Sequence, residues 1–82
     1  MRLARNTKQI GNEIRRQRKK LKLTQSMLGD KVGLRQATIS QIESGSASVK
    51  LETILKILAT LNLEFQIAPR STHQLSDIED ML

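Results

Sequence analysis

Five side chains between positions 35 and 41 carry the clearest chemistry in this 82-residue chain: Arg35, Gln36, Ala37, Ser40 and Gln41. Glutamine amides and a serine hydroxyl match the donors and acceptors on base edges in a DNA major groove, and a small alanine admits a thymine methyl. Arginine at the start of such a run can hold guanine O6 and N7, or a phosphate, in a bidentate fork. The apolar pair Ile39 and Ile42 anchors the same stretch, leaving Gln36, Ala37, Ser40 and Gln41 outward. Thr38 suits a phosphate or solvent better than a base. Any surface helix can carry glutamines, so the argument rests on the elements that would position them.

Those elements are a helix, a tight turn and a second helix. Thr24 can cap a first helix carrying Leu28 and Val32 four apart, and Gly33 follows where a positive φ costs least. The second helix is expected from Arg35 or Gln36 to Glu43, with Gly45 as a left-handed stop. Two helices of about eight residues joined at a Gly-containing turn form a helix-turn-helix, whose second helix enters the major groove. Glu43 reads as structural, bonding backbone or a basic side chain, because no second carboxylate or nucleophile neighbours it for acid–base work.

The stretch from Thr24 to Gly45, with TQ at the helix start, L-x-x-x-V-G into the turn and I-S-x-I-E-x-G at the end, resembles the Xre/Cro/cI repressor superfamily over roughly Ile10 to Leu61. Arg35-Gln36-Ala37-Thr38-Ile39-Ser40 with the following Ile-Glu pair, and later Leu55-Lys56-Ile57-Leu58, are most similar to HipB-type antitoxins. The resemblance implies a lambda-repressor-like fold. It gives Gln25 a phosphate contact with Ser26 beside it, and the free N–H groups and dipole of a helix N-terminus suit that role. It also brings the loop hydroxyls of Ser44 and Ser46, and Lys50, near the DNA backbone. Most superfamily members carry Ser or Thr where this chain has Arg35, so the usual N-cap is absent, whereas HipB-type sequences share a basic residue there. The resemblance further implies autorepression of a toxin–antitoxin operon and a HipA-like Ser/Thr kinase as partner.

Composition narrows the classes. The chain has no Cys and one His, so neither a disulfide framework nor a Cys-based zinc site is available, and no cofactor or metal is expected. No nucleophile–base pair or phosphate-cradling Gly motif suggests an enzyme. No apolar run approaches a membrane span and no signal-peptide core opens the chain, so a cytoplasmic protein is expected. Net charge is +6, and it is uneven: residues 1–22 carry +8, whereas 71–82 carry −3 through Asp77, Glu79 and Asp80. A basic front facing nucleic acid and a tail with another task are the natural reading.

In chain order, 1–6 is a flexible basic arm and 7–62 the helix-turn-helix domain. The first helix, from Thr7, is expected to bury Ile10, Ile14 and Leu21, with Arg15, Arg16, Arg18, Lys19 and Lys20 solvated around them. A last helix over 51–61 should bury Leu51, Ile54, Leu55, Leu58 and Leu61 and turn Ile57 outward. Residues 63–69 alternate apolar and polar up to Pro69 and read as a strand. A lone strand leaves its backbone groups unpaired, so the same strand of a second copy is the expected partner, giving a homodimer with Leu63, Phe65 and Ile67 over the last helix. The acidic tail 70–82 places Leu75, Ile78 and Leu82 at helical spacing, and His73 there has no assigned role.

The expected architecture is therefore all-α, with four or five helices and a C-terminal strand pairing between subunits. The expected function is an operator-binding repressor. Two alternatives stay open: a stand-alone, phage-like repressor without a toxin, and an interaction protein whose helix-turn-helix does not bind DNA.

Overall fold

The computed structural model describes residues 4–69. Four helices follow one another: α1 Thr7–Lys20, α2 Gln25–Val32, α3 Gln36–Ser44 and α4 Leu51–Thr60. This is the all-α architecture expected, at the four-helix end of the range. The core joins Ile14 of α1, Leu28 and Val32 of α2, Ile39 and Ile42 of α3, and Ile57 and Leu61 from the last helix and its end.

Local chemistry sets the ends of each helix. Asn6 caps α1 by accepting the Gln9 N–H at 2.8 Å, and Thr24 caps α2 by accepting the Met27 N–H at 3.0 Å. Arg35 and Lys50 begin α3 and α4 without a side-chain cap bond. All four helices end on a left-handed residue: Lys22, Gly33, Gly45 and Asn62. After α1 the Leu23 N–H donates to Arg18 O and Lys22 N–H to Lys19 O; after α4 the Leu63 N–H donates to Leu58 O and Asn62 N–H to Ala59 O. Both are two-bond closures that satisfy carbonyls the helix leaves open.

Glycine fixes how closely the helices approach. A Cβ on Gly11 would lie 2.4 Å from the carbonyl oxygens of Ile42 and Glu43, and one on Gly29 2.5 Å from Leu34 O. The first closes α1 onto α3, and the second lets the turn fold back on α2. The end of α4 is tied to α1 by Gln17 Nε2, which donates to Leu61 O at 3.0 Å.

Two expectations are corrected. Arg18 is not solvated: it is 7% exposed, in the stripe that continues Ile10 and Ile14 at intervals of four, while Leu21 at the helix end is 43% exposed. On α4, Ile57 is fully buried and Leu51 and Leu55 are exposed, contrary to expectation, whereas Ile54, Leu58 and Leu61 meet the core as expected. With six apolar residues among ten, α4 offers two stripes of similar width, and 54, 57, 58 and 61 is the one that meets the core. The strand expected over 63–69 needs a second copy to pair with, and within the single chain the segment forms none. Leu63 packs against the core, whereas Phe65 and Ile67 are exposed rather than folded over their own α4. A strand exists only through a partner, and a single chain offers this segment none. The arm residues 1–3 and the tail 70–82 lie outside the described residues.

Candidate nucleic-acid interface

The outward face of α3 is the natural place to begin. Gln36, Ala37, Ser40 and Gln41 are all exposed, Thr38 is half-buried, and Arg35 stands exposed just ahead of the first helical residue. Ile39 and Ile42 sink into the core and turn this polar face outward. The four side chains that the phase of those two isoleucines sets outward, Gln36, Ala37, Ser40 and Gln41, are exposed as expected.

Gln25 and Ser26, from the first turn of α2, meet the start of α3. Gln36 Nε2 donates to Gln25 Oε1, so the two helix N-termini share a hydrogen bond between side chains. Ser26 is exposed, and a shallow cleft lined by Ser26, Asp30, Arg35 and Gln36 among others opens beside the turn. At the other end of α3, Ser46 is exposed but occupied: its N–H and hydroxyl both donate to Gln41 O, and its hydroxyl pairs with that of Ser44 at 2.8 Å. These serines close α3 as well as lining the loop. Lys50 is exposed where α4 begins. Of the candidate phosphate groups, Gln25 and Ser26 lie beyond the start of α3, Ser46 and Lys50 beyond its end, and Thr38 within it beside the candidate base-reading groups.

Behind this surface sits a buried ion pair. Arg18 Nε donates to Glu43 Oε2 at 2.6 Å and Arg18 Nη2 to Glu43 Oε1 at 3.0 Å, while Arg18 Nη1 donates to Leu23 O at 2.8 Å. A bidentate guanidinium–carboxylate pair with its remaining donor satisfied is the form in which buried charge is tolerable. The same Glu43 Oε1 accepts from Gln25 Nε2 at 3.1 Å. A continuous relay therefore runs Arg18–Glu43–Gln25–Gln36, from the interior to the first residue of the exposed helix. Of the two partners expected for Glu43, backbone or a basic side chain, the structure shows the second, Arg18 of α1. The available signal was Arg18's place on the apolar stripe of its helix.

Lys8 was not singled out by pattern. Its backbone lies against Gly45, where an added Cβ would come within 2.6 Å of the Lys8 Cα, and Thr7 Oγ1 donates to Gly45 O at 3.2 Å. This brings the start of α1 to the loop after α3. Nothing in helical periodicity could have revealed it.

Among the described residues, no group of three His, Cys, Asp or Glu side chains could hold a metal ion, and no helix is long and apolar enough to cross a membrane. Leu63, Phe65 and Ile67, the expected dimer contacts, lie in the segment after α4 and outside the α3 surface.

Residues 14–67 match the HTH_3 helix-turn-helix family. The chain is 36% identical over 72 residues to Antitoxin HipB of Escherichia coli strain K12, covering 80% of this chain and 82% of that protein. Among solved structures it is similar to HipB in a HipB–O4 20mer complex, at 31% identity and a TM-score of 0.76, covering 87% of this chain and 100% of that one. A chain in a HipA–HipB–O2–O3 complex matches with the same identity, score and coverage. From the fold, the exposed α3 face and these likenesses together, the chain belongs to the HTH_3 helix-turn-helix family and has HipB antitoxins among its relatives.

Proposed function

We propose that this protein is a sequence-specific DNA-binding repressor that acts as an antitoxin, controlling its own operon and neutralising a HipA-like Ser/Thr kinase. The observation that carries the reading is the exposed face of α3. It holds four side chains suited to base edges, the first of them, Gln36, bonded to Gln25, with candidate phosphate contacts at Thr38 and beyond both ends of the helix. In this reading Gln36, Ala37, Ser40, Gln41 and Arg35 read bases. Gln25, Ser26, Thr38, Ser46 and Lys50 position the backbone. A basic N-terminal half adds the charge that drives association with a polyanion.

The active unit is a two-fold dimer, with two copies of 63–69 pairing antiparallel and Leu63, Phe65 and Ile67 at the junction. Two recognition helices related by a two-fold axis call for half-sites about one helical turn apart. The support is chemical: Phe65 is 49% and Ile67 90% exposed, on a segment with an unpaired alternating pattern. The domain then ends near residue 62, the pairing segment spans 63–69, and 70–82 is left for other contacts. The antitoxin role rests on the similarity to HipB along 82% of its length. The protein works in the cytoplasm, on the DNA of the nucleoid.

Titration against its own upstream DNA and a scrambled duplex, at two salt concentrations, tests this reading. Preferential, salt-sensitive binding by two subunits per site is the expected outcome; equal or absent binding leaves a partner-masking protein instead. Gln36→Ala should lower specific affinity by roughly 1–3 kcal/mol and leave binding to random DNA in place. Co-elution with a HipA-like kinase, and loss of that kinase's activity, separates an antitoxin from a stand-alone repressor.

A further inference from the structure

We propose that the acidic tail of this chain folds back onto the end of α1, where Asp77-Ile78-Glu79 covers Lys20-Leu21-Lys22 and competes there with the phosphates of DNA. The contact itself needs no DNA; the competition rests on the reading that the helix-turn-helix faces a duplex.

Lys20, Leu21 and Lys22 are all exposed, Leu21 to 43%. A large apolar side chain left open between two cations fits an apolar residue flanked by anions. Arg16 adds a third cation, exposed and four residues before Lys20 on the same side of the helix. The only acidic residue of α1, Glu13, lies two turns before Leu21. Among the described residues, no other large exposed apolar side chain sits between two cations: Met27 follows Ser26, Leu51 precedes Glu52, Leu55 follows Ile54, and Phe65 and Ile67 have no basic neighbour. The last twelve residues carry the opposite pattern. Asp77 and Glu79 flank Ile78, Asp80 follows, and no Lys or Arg occurs from Ser71 onward.

The path of the chain brings the two patterns within reach. Gln17, one turn before Leu21, holds Leu61 O at 3.0 Å, so the chain leaves α4 beside this end of α1. From Leu63 to Pro69 it spans at most about 22 Å, and the nine residues on to Ile78 can cover about 30 Å, enough to return even when 63–69 is fully extended. Lys22 closes α1, and two residues later Thr24 opens α2, whose Gln25 and Ser26 are the candidate phosphate contacts. A tail carboxylate on Lys22 thus takes a cation that a phosphate at the start of α2 would otherwise attract. Such a tail holds back DNA of any sequence and yields where base contacts add affinity.

The chain has no Cys, so Ser76→Cys carries a single nitroxide label, read in the full chain by broadening of backbone amide NMR signals. Broadening should fall on residues 16–22 and spare the outward face of α3. Ile78→Ser, at unchanged charge, and Lys20→Glu/Lys22→Glu should each abolish it, and adding Asp77→Lys/Glu79→Lys to the second should restore it; circular dichroism checks that the variants keep their helices. On a random duplex at roughly 50 mM salt, Ile78→Ser should bind about tenfold tighter than wild type, with the difference closing at about 0.5 M. Broadening that is absent, uniform, or centred on α3 or on Leu51 and Leu55 overturns the contact, as does a charge swap that fails to restore it. Unchanged duplex affinity in Ile78→Ser beside localised broadening overturns the competition. If neither protein binds any duplex, the DNA-binding function fails, while the label still decides the contact.

Discussion

The two sides of this small domain solve the problem of their surfaces differently. On the α3 side, every polar group near the interior is satisfied within the chain: Arg18 by Glu43 and Leu23 O, Glu43 by Arg18 and Gln25, Gln25 by Glu43 and Gln36. Among the described residues, no buried side-chain nitrogen or oxygen lacks a partner. On the α4 side, Leu51, Leu55, Phe65 and Ile67 are exposed, and 63–69 extends without strand pairing. One side is complete in itself and exposes polar groups; the other leaves apolar area and unpaired backbone, which in the proposed dimer a second copy covers. Where a surface must read sequence, rigidity comes from charge and hydrogen bonds. Where it must associate, apolar area left over from the core suffices.

The largest expected effect comes from breaking the ion pair. Glu43→Leu strands a buried guanidinium and should cost about 3–5 kcal/mol in a urea unfolding titration, whereas the paired Arg18→Met/Glu43→Leu change should recover most of that loss. Equal losses in the single and double variants would mean that the site depends on packing rather than charge. Next, Ile57→Ala should cost about 2–5 kcal/mol, because the side chain is fully buried. Leu51→Ala should stay within about 0.5 kcal/mol for the dissociated chain. Phe65→Lys should leave helical content unchanged yet shift the sedimentation equilibrium toward monomer. If Leu51→Ala proves as costly as Ile57→Ala, the contrast between the two faces of α4 collapses. The smallest effect sharpens the comparison at the helix starts: Thr24→Ala removes a cap and should cost about 1 kcal/mol, while Arg35→Ala, where no side-chain cap bond exists, should change thermal stability less.

How much could be read in advance depended on whether a residue's role was local. The cap of α2 and the stops of α2 and α3 followed from Thr24, Gly33 and Gly45, because each acts through its own backbone and the next turn. The outward set on α3 followed from the phase of Ile39 and Ile42. The orientation of α4 did not, since Leu51, Ile54, Leu55, Ile57, Leu58 and Leu61 allow two apolar faces and periodicity cannot rank them. Arg18 was assigned to solvent by its charge. Its burial depends on a carboxylate 25 positions later in the chain.

Residue pattern alone was enough to expect four or five helices, to locate the helix-turn-helix and to name the side chains that α3 turns outward. Those properties depend on residues within a turn or two of one another, where φ/ψ preference and 3.6-residue periodicity act directly. Tertiary structure alone decided that Arg18 and Glu43 meet, that Gln25 links them to Gln36, that Lys8 sits beside the loop after α3, and that Ile57 rather than Leu51 enters the core. Each of these requires two segments distant in the chain to converge. That convergence is set by how the helices pack around Gly11, Gly29 and the shared core, which no single helix encodes.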